Sequence, residues 1–508
     1  MSDPLVIGID SSTTATKAIA FDARGRFVRE GRAPIEMSNP RLGYFEQDTR
    51  DWWRSTAQAL RDCLGDLDPS AVAAVAISNQ RETLGVFDEN NEPLCPALLW
   101  LDERARVEVH ELAQKVGEDR IHEITGRMPD LTPAVCRMLW VLKHAPETAK
   151  RLGKFADVQS YLVHCLAGGP LRTGWPSADP LGVFDLVQKD WSAPLLDALG
   201  ITAENLPQAH PPGTELGRVS AAAAAETGLR KGTPVIAGGG DGQLAGLGTR
   251  CTSPERAYIN LGTAVVSGVW SQKYLFNRAW RTEIAGQGDG YILENCLRSG
   301  TFLVDWFVDQ FVPGGRTDPD VYQRLEAEAI KIPIGSDGVM VLPYWSGVMD
   351  PHWNVDARGV IIGLSASHHP VHIYRAVLEA ITLDQVRRTR TMEGAMGSAV
   401  DHYVAIGGGA ASPLWRQMLA DASGKPVLVS STNEASALGA AMIAAAGAGL
   451  YPSIVDAAHA MAGDAEPVAP NPAVSERYER LLEIYEPLYG ATEATNRQLV
   501  AFAAEGGA

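Results

Sequence analysis

Cysteine is scarce in this chain, and the few cysteines that it has are scattered. Only six occur among 508 residues, and no two of them form a Cys-x-x-Cys pair. A disulfide framework or a zinc knuckle needs cysteines at paired, short spacing, so neither organises this fold. Single free thiols fit a reducing compartment. The sequence therefore predicts a cytoplasmic protein without structural disulfides.

Long hydrophobic runs are also missing. The N-terminus has no basic segment and reaches a charged residue after a few apolar ones, so it lacks the pattern of a signal peptide. The longest run of small and apolar residues, at 437–450, is too short to span a bilayer. This run is rich in alanine and glycine, and it predicts a buried helix. No membrane is expected as a partner.

Basic residues are fewer than acidic residues in this chain. Lysine and arginine total 44 against 61 aspartate and glutamate residues, which gives a formal net charge of −17. Such a balance argues against nucleic acid and against an anionic membrane as partners. Hydrophobic residues at 45% and charged residues at 21% are typical of a globular protein with large cores. The length suggests roughly two to four domains.

A Walker A motif is absent too. The Gly-Lys pairs at 153–154 and 424–425 are followed by Phe155 and Pro426, where the motif requires serine or threonine. If the chain binds ATP, it does so with another architecture.

Three neighbouring histidines have no carboxylate at metal-ligand spacing. His368, His369 and His372 lie beside Pro370, where a helical pattern begins. Histidines at such a position are typical of a solvated helix N-terminus. The sequence predicts that role for them and no metal site.

The chain does contain apolar strands that end in small polar turns. Residues 5–10 and 17–22 are apolar and enclose a hydroxyl-rich turn at 11–16. This pattern predicts two strands around a turn whose N–H groups can face an anion, although a plain β-hairpin has the same pattern. Residues 257–270 repeat it. The repeat suggests two similar domains that face one nucleotide.

One aspartate follows a strand that ends in glycines. Residues 234–240 predict a buried strand with three terminal glycines, and Asp241 comes next. Glycines let the backbone turn tightly and approach a ligand closely. The C-terminal ends of strands are where α/β sheets hold their chemistry. Asp241 is therefore predicted to be a general base where two domains meet, with an N-cap of the next helix as the alternative.

Two further stretches of the chain have patterns that predict their local structure. Residues 167–185 are rich in glycine and proline and are expected to form an exposed loop. Residues 470–504 have the periodicity of amphipathic helix.

Six short motifs occur in a fixed order. They are GIDSSTTATK at 8–17, NQRET at 79–83, GGGDGQ at 238–243, LGT at 261–263, GGGA at 407–410 and EASALG at 434–439. Together they resemble the FGGY carbohydrate kinases of the actin-like ATPase superfamily, almost end to end. The resemblance implies an α/β fold of two actin-like (ribonuclease H-like) domains around a deep nucleotide and sugar cleft. It also implies transfer of the γ-phosphoryl group of ATP to a sugar or polyol hydroxyl with Mg²⁺.

The resemblance also implies a domain division. Residues 1–247 would form the sugar-binding domain and residues 248–508 the adenosine-binding domain. The terminal helix, at about 471–505, is a candidate to dock back on the first domain. The implied partners are ATP and a small sugar, while a homodimer is a hypothesis that one sequence does not decide.

The resemblance implies a role for each residue that matches a family motif. Asp241 matches the base that removes the proton from the attacking hydroxyl, and Asp10 matches an acid linked to Mg²⁺, so both form the implied metal site. The implied nucleotide-binding residues are Asp10, Thr13, Thr14, Lys17, Gly262, Thr263, Gly300, Gly408, Gly409 and Ala410. Lys17 could instead be a surface lysine, and the glycines could form a C-cap or a tight turn.

The sugar-binding residues are implied in the same way, and they are Arg81, Glu82, Trp100, Asp102, Asp241 and Gln243. A charged donor and acceptor, Arg81 and Glu82, can bind a vicinal diol at both ends. Trp100 and Asp102 would supply an apolar wall beside a hydroxyl acceptor. The alternatives are a structural salt bridge for Arg81 and Glu82, and a core position for Trp100.

Departures from the family pattern bear on the substrate. NQRET at 79–83 is similar to glycerol kinases, yet Thr132 stands where those enzymes carry a substrate-binding tyrosine. Residues 342–359 resemble xylulose kinases, except that Val348 and Met349 replace a Glu-Arg pair. GDGQL at 240–244 is similar to autoinducer-2 kinases.

The substrate implied first is a ketopentose such as D-xylulose, and glycerol, another polyol or an autoinducer-2-type sugar are the alternatives. An actin-like ATPase that acts as a conformational or chaperone module is the alternative from another class.

Overall fold

The computed structural model describes residues 3–463 and 466–505 and contains two six-stranded mixed sheets. The ends of the predicted domain ranges, residues 1–2 and 506–508, lie outside the described residues, as do residues 464–465.

The first half of the chain contains these strands: β1 (Leu5–Ser11), β2 (Ala15–Asp22), β3 (Phe27–Pro34), β4 (Glu46–Gln47), β5 (Val72–Asn79), β6 (Gly85–Phe87), β7 (Ala97–Leu98), β8 (Lys154–Ala156), β9 (Arg172–Gly174), β10 (Phe184–Asp185), β11 (Asp190–Trp191), β12 (Gln208–His210), β13 (Glu215–Arg218) and β14 (Pro234–Gly240). Its helices are α1 (Thr49–Leu64), α2 (Arg106–Val116), α3 (Glu118–Thr125), α4 (Ala134–His144), α5 (Pro146–Ala149), α6 (Val158–Ala167), α7 (Trp175–Ala178), α8 (Ala193–Leu199), α9 (Ala221–Thr227) and α10 (Asp241–Gly248).

The second half continues with the strands β15 (Arg256–Leu261), β16 (Val265–Ser271), β17 (Arg281–Ile284), β18 (Tyr291–Leu297), β19 (Met340–Leu342), β20 (Val360–Ile362), β21 (His402–Ile406) and β22 (Val427–Val429). Its helices are α11 (Thr301–Phe311), α12 (Val321–Ala329), α13 (Pro370–Met396), α14 (Pro413–Ser423), α15 (Ala435–Gly447), α16 (Ile454–Met461), α17 (Pro472–Tyr485) and α18 (Leu488–Glu505).

The two sheets share one strand plan. Their orders are β13-β14-β5-β1-β2-β3 and β17-β18-β16-β15-β21-β22. The antiparallel pair β1–β2 corresponds to β15–β16, and the parallel neighbour β5 corresponds to β21. The central strands are apolar and buried on both faces because helices cover both sides of each sheet. The expected strand–turn–strand repeat and the α/β fold of two similar domains are therefore confirmed.

Helix α15 belongs to the second half of the chain but packs on the first sheet. Its alanines share one core with Val6, Phe21 and Ile236. The backbones approach so closely that a Cβ on Gly8 would collide with the carbonyl of Ala437. Only small residues permit this contact, which accounts for the alanine-rich composition of the run at 437–450. The prediction of a buried helix there is confirmed.

The terminal helices contact the second domain. Tyr478, Leu482 and Tyr485 of α17 are buried in the core that surrounds the second sheet. The Tyr485 hydroxyl donates a hydrogen bond of 3.2 Å to Asp384 in α13. The expectation that the helix at 471–505 docks back on the first domain is wrong. The segment that does return to the first sheet comes earlier, in α15 and α16.

The expected exposed loop at 167–185 is mostly buried. Thr173, Ser177 and Asp179 are completely or almost completely enclosed. The Ser177 hydroxyl donates a hydrogen bond of 2.7 Å to Asn79 at the end of β5, and Gly174 lies against the carbonyl of Gly238 in β14. Glycine allows the chain to pack closely on the strand ends, so its frequency here reflects close approach to neighbours.

The three histidines lie at the start of α13, as predicted. His369 is the N-cap residue, and its N–H donates a hydrogen bond of 3.0 Å to the Nδ1 atom of His372. Within the described ranges, no group of three or more His, Cys, Asp or Glu side chains is placed to hold a metal ion. None of the helices in that part of the chain is both long and apolar enough to cross a membrane.

Candidate active site

Three neighbouring strands of the first sheet bring the predicted polar residues together. Strands β14, β5 and β1 are adjacent and parallel, so their C-terminal ends lie at one edge. Asp241 follows β14, Arg81 and Glu82 follow β5, and Asp10 lies near the end of β1. This edge is where an open α/β sheet accommodates a ligand.

Asp241 is the first residue of α10. Gly240 occupies the N-cap position, so Asp241 is not the N-cap that the alternative interpretation proposed. The Asp241 side chain is 40% exposed, and its Oδ1 atom lies 3.0 Å from Arg81 Nε. Across the domain boundary, the Ser436 hydroxyl donates to the Asp241 carbonyl at 3.0 Å. The carboxylate is therefore oriented but still accessible.

Asp10 lies within electrostatic reach of Asp241. Its Oδ1 atom accepts a hydrogen bond of 3.0 Å from the Ser78 hydroxyl. Burial, and then the negative charge of Asp241, raise the pKa of Asp10 to about 7. Two carboxylates that repel each other are suited to share a hard divalent cation, for which oxygen atoms are the preferred ligands. The donor set thus fits the Mg²⁺ that the family resemblance implies.

Residues in and next to the turn between β1 and β2 contact side chains from both halves of the chain. Lys17 Nζ lies 2.5 Å from Glu434 Oε1, so Lys17 is not the isolated surface lysine of the alternative interpretation. Trp100 Nε1 donates a hydrogen bond of 3.0 Å to Thr13 Oγ1. The Trp100 side chain is 40% exposed, so the alternative of a buried core tryptophan is wrong. Thr13 and the exposed Thr14 form the turn between β1 and β2.

Arg81 is held by three carboxylates. Its Nη1 atom lies 2.7 Å from Glu283 and 3.0 Å from Glu294, and its Nε atom contacts Asp241. The structure therefore contains the salt bridge that was the alternative to direct sugar binding. Glu82 is also buried, at a positive φ of 59°, and its Oε1 atom has no hydrogen-bond partner. That oxygen lies 3.6 Å from Arg281 Nη1 and 4.0 Å from Arg127 Nε, so Glu82 belongs to the same buried ionic network as Arg81.

A buried group of charges surrounds this pair. Sequence reasoning missed its members, which are Arg127, Asp179, Arg281, Glu283 and Glu294. Burial opposes the charged form, but the two arginines Arg281 and Arg81 lower the pKa of Glu294 to about 2. The available sequence signal was weak: Glu294 and Asn295 interrupt the mostly apolar β18.

Two of the predicted sugar ligands have no surface for a ligand. Asp102 Oδ2 accepts hydrogen bonds of 2.8 Å from the Phe45 N–H and 2.7 Å from Arg104 Nη2. Gln243 is fully enclosed, and its Nε2 atom donates to the Pro176 carbonyl at 3.0 Å. Asp102 and the Gln243 amide nitrogen thus serve neighbouring loops, whereas the buried Gln243 Oε1 atom has no hydrogen-bond partner. Direct sugar contact by either residue stays a prediction.

The second turn lies beside a cavity in the second domain. Gly262 and Thr263 connect β15 to β16, and the Gly300 N–H donates to the Thr263 carbonyl at 3.0 Å. The cavity measures about 730 Å³, within the size range of ligand sites, and Gly408 and Gly409 line it. Its other walls include Thr301, Val304, Tyr322, Tyr374, Leu378 and Trp415.

The lining differs from the prediction at two positions. Ala411 lines the cavity, whereas Ala410 is buried behind it. Thr301 is part of the wall, whereas Gly300 packs against the 262–264 turn.

Comparisons with known proteins agree along the whole chain. The N-terminal domain of the FGGY family of carbohydrate kinases matches residues 5–248, and its C-terminal domain matches residues 257–448. A xylulose kinase from Lactococcus lactis is 30% identical over 512 residues, covering 99% of each chain. An autoinducer-2 kinase from Klebsiella pneumoniae is 29% identical, covering 95% of this chain and 93% of its own. A glycerol kinase from Symbiobacterium thermophilum is 31% identical, with coverages of 91% and 94%.

Solved structures share the fold. A xylulose kinase from Rhodospirillum rubrum has a TM-score of 0.90 at 27% identity, covering 97% of this chain and 100% of its own. A gluconate kinase from Lactobacillus acidophilus has a TM-score of 0.92 at 23% identity, with coverages of 98% and 100%. The family matches extend over both domains, so this chain belongs to the FGGY carbohydrate kinases and is a phosphotransferase with an alcohol group as acceptor.

Proposed function

We propose that this kinase phosphorylates a neutral ketopentose, with D-xylulose as the first candidate. The observation that carries the proposal is the position of Asp241, which is exposed where the two domains meet and oriented by Arg81. Similarity to xylulose kinases over 98–99% of this chain, at 28–30% identity, supports the choice of sugar. The identities to autoinducer-2 and glycerol kinases are similar, so those substrates belong in the same test.

The charges around the site favour a neutral sugar over a sugar acid. Six carboxylates lie near the Asp241 edge, against three arginines, and each arginine is already paired with carboxylates. The carboxylates are Asp10, Glu82, Asp179, Asp241, Glu283 and Glu294, and the arginines are Arg81, Arg127 and Arg281. An anionic substrate such as gluconate would meet net repulsion and no spare guanidinium among these three. A hydroxyl-bearing neutral sugar has neither disadvantage.

The roles of the chain's own groups follow from the geometry. The Asp241 carboxylate accepts the proton of the attacking hydroxyl, and a base of this kind contributes about 10²–10⁴-fold to the rate. The Oε1 atom of Glu82, which makes no hydrogen bond among the described residues, is the proposed acceptor for a sugar hydroxyl. The exposed ring of Trp100 can cover the apolar face of the sugar. Mg²⁺ held by Asp10 and Asp241 would neutralise phosphate charge.

The nucleotide is assigned to the cavity in the second domain. ATP is the phosphoryl donor of this family, and the cavity is large and apolar enough for adenosine. Lys17 and the turns at Thr13 and Thr263 are the groups proposed to meet its phosphates. Phosphoryl transfer needs mainly such positioning and charge neutralisation.

A coupled ADP-release assay tests the proposal. Wild type and Asp241→Asn are compared on D-xylulose, other ketopentoses, glycerol, an autoinducer-2-type sugar and gluconate, with Mg²⁺ and ATP. Turnover with a ketopentose that falls about 10²–10⁴-fold in the variant is expected. Preferred turnover of glycerol, an autoinducer-2-type sugar or gluconate would contradict the ketopentose assignment. ADP release that is indifferent to sugar and survives in Asp241→Asn would favour the conformational ATPase instead.

A further inference from the structure

The base and the residues that fix it come from different domains. Asp241 and Arg81 follow strands of the first sheet, whereas Glu283 and Glu294 lie on β17 and β18 of the second. Arg81 Nη1 is 2.7 Å from both oxygens of Glu283 and 3.0 Å from Glu294 Oε1. The same guanidinium presents its Nε atom to Asp241 at 3.0 Å.

The two glutamates are themselves held firmly. Glu294 accepts a hydrogen bond of 2.7 Å from Arg281 Nε, and its other oxygen accepts one of 2.7 Å from the Tyr258 hydroxyl. Glu283 also lies 2.8 Å from Arg127 Nη2. Both carboxylates are fully buried. A buried arginine with this many partners has little rotational freedom, so the direction of its Nε–H is determined by the second domain.

We propose that Glu283 and Glu294 are positioning residues, through which the second domain orients the Asp241 base by means of Arg81. Both glutamates are fully buried, so in this proposal they act through Arg81 and not on the substrate directly. The second domain thus contributes to the proton transfer as well as to nucleotide binding. The proposal rests on the role of Asp241 proposed above.

A double-mutant cycle separates this role from a merely structural one. Glu283→Gln keeps the size of the side chain but removes its charge. We expect kcat for the sugar to fall about tenfold while KM for ATP stays within about twofold. In an Asp241→Asn background the same change should lower kcat by less than about twofold, because there is no base left to orient.

A milder variant keeps the test usable if a buried charge change prevents folding. Tyr258→Phe removes only the hydrogen bond to Glu294 and should lower kcat about two- to fivefold, again without effect in the Asp241→Asn background. Thermal unfolding and ATP binding are measured for every variant. If these variants fold but lower kcat by the same factor in the wild-type and Asp241→Asn backgrounds, the proposal is overturned.

Glu379→Gln is the matched control. Glu379 is also a buried glutamate of the second domain paired with an arginine, Arg375, at 3.0 Å. Any effect of this variant should be independent of Asp241, so its effect should be the same in both backgrounds. Coupling of similar size at Glu379 would mean that the cycle reports general destabilisation, and the proposal would fail.

The outcomes also distinguish the two proposals. If Asp241→Asn lowers kcat as expected but Glu283→Gln lowers it by the same factor in both backgrounds, the positioning role fails and the base remains. If Asp241→Asn keeps full turnover, the proposed base fails, and the positioning role fails with it.

Discussion

Gly408 provides a direct test of where the nucleotide binds. It lines the cavity of the second domain, and a Cβ atom added there would meet no atom within 4 Å. Gly408→Val should therefore leave the fold intact but place two methyl groups where adenosine is expected. Overpacking typically costs about 1–3 kcal/mol. At about 1.4 kcal/mol for each tenfold change, KM for ATP should rise about 5- to 150-fold.

Steady-state kinetics with ATP and sugar varied separately would measure the effect. KM for the sugar and the thermal midpoint should not change. Gly394→Val is the matched control, since a Cβ on this exposed glycine of α13 also meets nothing and Gly394 lies outside the cavity. Gly409→Val should instead destabilise the fold, because its Cβ would lie 2.7 Å from Trp415. An unchanged KM for ATP in folded Gly408→Val would refute the assignment of the nucleotide.

Three further predictions follow from burial and charge. The pKa of Asp10 is raised to about 7, so ionisation of its carboxyl group lowers the free energy of unfolding as pH rises from about 4 to 7. Asp10→Asn should therefore increase that free energy by up to about 4 kcal/mol at pH 8 and leave it unchanged below pH 4. Denaturation curves that show a pH-independent difference would contradict this. Trp100→Ala should raise KM for the sugar about tenfold and leave the thermal midpoint unchanged, as expected for an exposed ring that contributes about 1–2 kcal/mol by apolar contact. An unchanged KM for the sugar would count against this role. Arg388→Met should lower the free energy of unfolding by about 3–5 kcal/mol in chemical denaturation, because the buried Asp350 loses its arginine and Asp384 keeps only Arg387. A loss below about 1 kcal/mol would show that the pairs contribute little.

Local patterns were sufficient to predict the strand ends and the residues that follow them. A buried apolar run that ends in glycines places Asp241 directly after a strand, and the apolar run of β1 places Asp10 near the C-terminal end of its strand. The strand–turn–strand repeat likewise predicted two similar domains, because each copy is a short local pattern. These features depend on hydrophobic periodicity, which is visible in one segment at a time.

The partners of Arg81 could not be predicted in this way. Glu283 is 202 residues away in sequence, and no local pattern records which distant side chain meets the guanidinium. The burial of residues 167–185 was missed for a related reason, because glycine and proline indicate where a chain turns and not what covers it. Asp102 was assigned to the sugar from the family resemblance alone, and no periodic pattern revealed that its partner would be Arg104, two residues away.

The packing of α15 on the first sheet has a consequence for how the protein is made. A ribosome releases the first sheet strand by strand, but the helix that fills one face of that sheet is among the last elements to be synthesised. Until then Val6, Phe21 and Ile236 lack the alanine-rich helix that covers them on that side. The first domain cannot therefore complete its core until α15 has been synthesised. A nascent chain that stops before residue 435 presents an open apolar face, and this is where we expect chaperones to bind.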